Sequence, residues 1–364
     1  MFTKYNLKII YAHRTFKWHN EAKGVAAVHC VIIGFANNNQ DIPKTKKLFD
    51  YKNIDSEPHI LKAKNINPYL VNATDLVILK RKKPICNVSE ISFGSMPNDG
   101  GEFLFSEEEK EVFLKSEPKA KSYIKPLLSA HEFLNRKKRW CLWLKNISQE
   151  DLKNLKEVNK RVQNVKKIRS SSPRAATKAL AKVPHLFGEI RQPDSNFILI
   201  PLHSSENRSY IPMGFFTKSS IANNSTSVIP NATLFEFGIL NSKMHMTWVV
   251  YTCGRIKSDY RYSNEMVYNN YPWPKTIDTK NKKLIEEKAQ KILDERSKCK
   301  DLSLAKLYDP SKMPAELLKA HKSLDKAVDT CYSNAIFKTD KKRIEFLFEE
   351  YNKLINNLKT KKSG

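Results

Sequence analysis

Between Cys253 and Pro274 the chain reads CGRIKSDYRYSNEMVYNNYPWP. Three cations (Arg255, Lys257, Arg261), an acid that reads as buried (Asp259) and a run of rings (Tyr260, Tyr262, Tyr268, Tyr271, Trp273) share this one segment. Guanidinium and ammonium groups grip phosphate oxygens, and donors or acceptors on short loops read base edges in a DNA groove. Pro272 and Pro274 flank Trp273, and proline fixes φ and restricts the residue before it, so Tyr-Pro-Trp-Pro is expected as a stiff extended exit. The same composition also suits a boundary loop whose rings fill a core. Two further stretches have contact chemistry. Ile168–Arg174 reads IRSSSPR, where Ser171 and Arg174 could clamp phosphates or simply belong to a mobile linker. In SSENRSY, Arg208 and Tyr210 follow two serines in a candidate contact loop.

The balance of charge supports a polyanionic partner. There are 64 Lys and Arg against 38 Asp and Glu, a formal net charge of +26 over 364 residues. Between Pro118 and Lys182 the count is 18 against four, so a local excess of 14 carries over half of it. Clustering of this kind points to a binding face, nucleic acid first and an anionic membrane second. No stretch approaches the roughly 20 apolar residues of a membrane span, and the first residues lack a signal-peptide pattern. Six cysteines are scattered with no CxxC pair, so neither a zinc site nor a disulfide framework is expected, and a reducing cytoplasm is the expected compartment.

Several elements must position these groups. Lys8–Ala12 and Ala26–Phe35 read as strands joined by the polar loop His13–Gly24. Two strands cannot bury both faces and need a larger sheet, which the sequence does not visibly supply. Ser106 with Glu109 three residues on is a capping box for a helix over 107–115. Ser148 caps a second helix whose buried stripe is Leu152, Leu155, Val158, Val162 and Val165. NFILIPL at 196–202 and YIPMGFF at 210–216 are strand-like, and 233–250 is mainly apolar. From Ile277 the pattern turns helical, with seams through Ile285 and Ile292, through Leu317, His321, Leu324 and Val328, and through Ile344, Leu347 and Tyr351.

The segment CGRIKSDYRYS followed by VYNNYPWP resembles the end of the target-recognition domain of MmeI-type (type IIG/IIL) restriction-and-modification enzymes, with Tyr271 where that family usually has Phe. FKWHNEAKG before VHCVIIGF is similar to the last block of their adenine-methylating domain, and SMPNDGGEFLF, INPYL and LYDPSKMPAELLKAHKSLDKAVD extend the likeness from about Lys4 to Leu358. The resemblance implies an α+β fold class: a β-hairpin remnant of a Rossmann-like methyltransferase sheet at 1–36, a mixed α/β target-recognition domain at 37–275 and an α-helical domain at 276–364. It implies that Phe16, with Trp18 nearby, stacks on a flipped adenine, although both rings could be ordinary packing residues. It implies that the variable pair Lys257 and Asp259 reads a base pair. Lysine donates to guanine's acceptors and aspartate accepts from cytosine's amine, so one G·C pair is expected; a local salt bridge is the alternative.

Other parts of the family pattern are not in this sequence. There is no Asn-Pro-Pro-aromatic motif and no GxGxxG loop, and Asp55-Ser56-Glu57 is followed by lysines at the wrong spacing for a metal nuclease. The chain is therefore expected to correspond to the C-terminal part of such an enzyme, from a truncated gene or a split polypeptide. No catalytic residue, metal ligand or cofactor is expected within it. S-adenosylmethionine, and Mg²⁺ for cleavage, are implied for the complete enzyme. The implied partners are double-stranded DNA and a separately encoded N-terminal methyltransferase or nuclease half. A non-enzymatic specificity subunit and a generic basic RNA-binding protein are the other readings.

Overall fold

The computed structural model describes residues 2–18, 28–39, 42–52, 55–275 and 277–363. The chain divides into two compact units, one of residues 1–80, 270–272 and 337–364 and the other of residues 81–269 and 273–336. These units cut across the divisions expected at 36/37 and 275/276.

In the first unit β1 (Leu7–Trp18) and β2 (Val28–Asn37) pair antiparallel, as their β-branched sequences require. The larger sheet that seemed absent is partly supplied from within the chain. β3 (Lys46–Tyr51) pairs parallel to β1, and β4 (Pro58–Ala63) pairs antiparallel to β3, giving the order β2-β1-β3-β4. Ile9, Ala12, Leu48, Ala63 and Ile66 form its core. β2 stays at an edge with Val28, Val31, Ile32, Ile33 and Phe35 exposed. The helix Asp340–Ser363 belongs to this unit and buries Ile344, Leu347, Phe348 and Tyr351.

Asp50 is the polar hub of the first unit. Its buried carboxylate accepts from Arg14 Nη1 at 2.7 Å and from Lys341, and sits 3.1 Å from His59 Nε2. Burial pushes its pKa up, but the hydrogen bonds from Lys341 and Arg14 outweigh that and hold it below the ordinary carboxylate range.

The second unit is built on Phe197–Pro201, the central strand from NFILIPL, which is buried throughout. Antiparallel neighbours Gly214–Phe216 and Thr226–Pro230 flank it, and Ser92–Phe93 closes the four-stranded sheet. The apolar run 233–250 is two helices, Leu234–Leu240 and Lys243–Thr252, capped by Thr233 and Ser242. The helices Thr279–Lys298 and Ala315–Tyr332 pack on that pair; a Cβ on Gly238 would lie 2.5 Å from Ile285.

The capping box at Ser106 is present, opening the helix Glu107–Ser116. The helix expected from Ser148 is instead two, Gln149–Asn154 and Lys156–Ser170, broken at Leu155, whose ψ of 89° is not helical. Leu155 is buried, so burial of its side chain fixes the kink that its helical propensity does not favour.

Candidate nucleic-acid interface

Gly254–Ile256 and Asp259–Arg261 form a short hairpin closed by the two residues Lys257 and Ser258. A two-residue hairpin turn favours residues that tolerate positive φ. Lys257 has φ +55°, in the left-handed region that costs an ordinary side chain about 1 kcal/mol. The turn therefore holds an exposed lysine in a conformation natural to glycine. Among the described residues no carboxylate pairs with it, so the local Lys257–Asp259 salt bridge does not form.

Asp259, expected to be buried, is exposed at the base of the same turn. Strand alternation gives the reason: Tyr260 next to it takes the inward position, leaving 259 and 261 outward. The Asp259 Oδ1 accepts the backbone N–H of Glu206 at 3.1 Å, which ties the loop 204–208 to the hairpin. Arg255 stacks its guanidinium 4.4 Å from the centre of the Tyr260 ring, donates to the Ser258 carbonyl at 2.6 Å and lies 3.9 Å from the Glu206 carboxylate. His203–Ser204 adds a third strand, with His203 opposite Arg261. Arg208 is half-buried, donating to Ser204 Oγ at 3.3 Å, and its burial lowers its pKa.

The hairpin is braced from beneath. Tyr262, which follows it, is buried and donates its backbone N–H to the Leu202 carbonyl at 2.8 Å. Its hydroxyl lies 3.2 Å from His245 Nε2, while His245 Nδ1 lies 2.9 Å from the Leu240 carbonyl. A carbonyl only accepts, so Nδ1 carries the proton and Nε2 accepts from Tyr262. Burial pushes the His245 pKa down to about 4.

Arg255, Lys257, Asp259, Arg261 and Arg208 are thus gathered by one three-stranded ribbon and the loop it holds. Tyr210 does not join them. It is buried, its hydroxyl donates to Asp325 at 2.7 Å and its ring stacks on His321 at 4.0 Å, so it is a core residue and not a DNA contact. The apolar half of YIPMGFF draws it inward.

Ser171 and Arg174 lie on a different element, after the helix Lys156–Ser170, and both are exposed. The Ser171 hydroxyl donates to the Ile168 carbonyl at 3.0 Å, and the Arg174 N–H donates to Ser172 Oγ at 3.2 Å, so this stretch is a capped turn. Sequence reading missed Arg169, just before them in the last turn of that helix. It is fully buried and donates to five carbonyls, of Pro97, Asn98, Leu180, Val183 and Leu186, at 2.8 to 3.2 Å. Its position continues the stripe Val158, Val162, Val165, a signal masked by its charge.

Phe16 and Trp18 lie on β1 itself, not in a loop; the rest of the expected loop, 19–24, falls outside the described residues. One face of Phe16 is taken by Tyr51, with ring centres 5.3 Å apart and planes 19° from parallel. Trp18 meets Phe16 edge-on at 6.3 Å and is 55% exposed. His13 stacks on Phe49 at 4.0 Å, and its Nδ1 is 2.8 Å from the Tyr51 hydroxyl. Phe49 and Tyr51, which spacing did not single out, therefore complete this aromatic group.

Among the described residues no group of three or more His, Cys, Asp or Glu side chains converges to hold a metal, and no helix is long and apolar enough to cross a membrane. The interface offers cations and hydrogen-bonding groups to a ligand.

Comparison with known proteins agrees with this arrangement. The family model for the target recognition domain of MmeI matches residues 72–275, that for its C-terminal domain residues 277–359 and that for its DNA-methyltransferase domain residues 1–50. DNA methyltransferase A of Bacillus subtilis (strain 168) is 38% identical over 351 residues, covering 96% of this chain and 39% of that protein. The structure of the type IIL restriction-modification enzyme MmeI in complex with DNA superposes with a TM-score of 0.85 at 44% identity, over 96% of this chain and 46% of that one. The chain thus spans less than half the length of these two relatives, and its mixed α/β architecture of small sheets and C-terminal helices matches that of the solved one. A braced hairpin, a recognition-domain match over most of the chain's middle and a closely superposing relative lead to one conclusion: this chain belongs to the MmeI family of restriction-modification proteins.

Proposed function

We propose that the chain is the sequence-reading portion of a restriction-modification enzyme that methylates adenine in DNA, and that it binds double-stranded DNA through the 254–261 hairpin. The observation that carries this reading is Lys257, an exposed lysine kept at positive φ on a braced two-residue turn. Backbone strain at an exposed position is retained where a side chain is needed there. The similarity to a protein solved with DNA supports the same reading.

In this reading Lys257 and Asp259 face one G·C pair, the ammonium donating to guanine O6 or N7 and the free carboxylate oxygen accepting from cytosine N4. Arg255, Arg261 and Arg208 contact the backbone or groove, and Arg174 and Ser171 hold phosphates from their own turn. Phe16, with Trp18 beside it, offers its uncovered face to an extruded adenine.

Methyl transfer lies with residues other than these 364, since no Asn-Pro-Pro-aromatic or Gly-rich cofactor motif occurs among them. S-adenosylmethionine and Mg²⁺ belong to the complete assembly in this proposal. A separately encoded methyltransferase half would make the chain a specificity subunit. The exposed apolar strand β2 favours that second reading, because an uncovered edge is a surface for further sheet.

Selection from a randomised duplex pool at near-physiological salt tests the proposal. Enrichment of a short motif with a fixed G·C pair is expected. Exchanging the pair, Lys257→Glu with Asp259→Arg, should change the preferred base at one position; an unchanged preference overturns the assignment.

A further inference from the structure

We infer that the helix Lys156–Ser170 carries a second, sequence-independent DNA surface, a lysine stripe that grips the phosphate backbone apart from the base-reading hairpin. The inference rests on the proposal that the chain binds duplex DNA.

Lys156, Lys160, Gln163 and Lys167 follow one another at four, three and four residues and are all exposed. That spacing aligns them on one face. Val158, Val162, Val165 and Arg169 fill the opposite face and are buried, so the polar face cannot turn inward. At 1.5 Å per residue the stripe spans about 16 Å, enough to reach phosphates on both sides of a major groove roughly 12 Å wide.

The three lysines are uncompensated: among the described residues none forms an ion pair. A comparable row on the helix Ala315–Tyr332, of Lys319, Lys322 and Lys326, begins beside an acid, with Glu316 at 3.8 Å from Lys319. The chain's local excess of charge is centred on the first helix and continues past its end through Arg174, Lys178 and Lys182, all exposed.

A rigid loop borders the stripe. A polar hollow of about 410 Å³ runs between Lys160 and Asn164 on the helix and Gly100 and Gly101, with Glu102 and Glu157 as its acids. Both glycines have positive φ, +67° and +93°, and a Cβ on Gly101 would meet nothing within 4 Å. Glycine is thus required there by backbone shape and leaves the main chain open to close approach. Arg169 fixes the loop through the Pro97 and Asn98 carbonyls, and the Asp99 carboxylate accepts from Gly101 and Phe103 N–H. The Arg161 guanidinium is committed elsewhere, donating to the Glu102 carbonyl and lying over Phe105.

The test is a salt titration of duplex binding for the wild-type chain and for the triple variant Lys156→Gln, Lys160→Gln, Lys167→Gln. Glutamine keeps helical propensity and side-chain reach while removing charge. The slope of log K against log salt should shrink by about 2.7, about 0.9 per lost phosphate contact, while the enriched motif stays the same. The matched variant Lys319→Gln, Lys322→Gln, Lys326→Gln should keep the wild-type slope. An unchanged slope in the first variant, or an equal fall in the second, overturns the inference; so does a loss confined to RNA duplexes. A smaller slope in the first variant, beside a wild-type chain that enriches no motif, counts against base reading and still supports the stripe. Matching circular dichroism and melting of the variants keeps misfolding from imitating either result.

Discussion

Lys257 stands where a hairpin turn would accept glycine, and the two demands on that position can be separated by substitution. Lys257→Gly should leave stability unchanged or raise it by up to about 1 kcal/mol, because the positive φ is no longer strained. Base preference should fall at the same time. Urea unfolding and pool selection on one preparation would measure both; a variant that loses stability and keeps its preference would show that the lysine serves the turn alone. The opposite charges of Lys257 and Asp259 were legible in the sequence. The exposure of Asp259 was not, since it depends on which side of the ribbon Tyr260 occupies. Tyr210 failed for a similar reason: its serine-rich neighbours suggested a surface loop, but a distant carboxylate on Asp325 and the His321 ring claim it.

At the scale of elements, the three-stranded ribbon around 254–261 rests on a buried histidine held in its neutral form. The His245 pKa, about 4 in the folded chain, lies below its ordinary 6.5. The unfolded chain therefore binds a proton first as pH falls. Stability contributed by neutral His245 is complete above pH 6.5 and is lost progressively between 6.5 and about 4, by about 3 kcal/mol if the shift is fully expressed. His321, also buried and lowered, acts in the same direction. Urea midpoints at pH 7 and pH 5 should differ, and His245→Gln should narrow the difference; equal narrowing by an exposed histidine such as His203 would refute the attribution. Periodicity revealed the three long C-terminal helices, and the capping box at Ser106 located one start to the residue. It did not reveal the break at Leu155, because a leucine there fits a continuous stripe, and only tertiary packing selects the kink.

Across the whole molecule each of the two units has one buried charge as its hub. Asp50 gathers Arg14, His59 and Lys341 in the first unit, and Arg169 gathers five carbonyls in the second. Removing one partner of such a network leaves the rest buried and unpaired, a loss on the order of 3 kcal/mol. Trp18 is the tryptophan of the first unit, while Trp140, Trp143, Trp248 and Trp273 lie in the second. Denaturation followed by fluorescence should therefore show two transitions, the first missing in Trp18→Phe. Asp50→Ala should shift that transition and Arg169→Ala the other; a common shift in both would mean the units unfold as one. The composition pointed to a polyanionic partner, but neither hub was readable, because each joins residues far apart along the chain.

The three-residue return at 270–272 gives the molecule an unusual inheritance. Asn270 donates to the Leu79 carbonyl at 3.0 Å and accepts from the Tyr351 hydroxyl at 3.1 Å, so one asparagine stitches together stretches 191 and 81 positions away. Gene shuffling that exchanges a contiguous recognition cassette carries Asn270 along with it and parts it from both neighbours unless the donor supplies the same triplet. If the hairpin reads bases as proposed, new specificities would then arise by point changes on it more readily than by swapping cassettes.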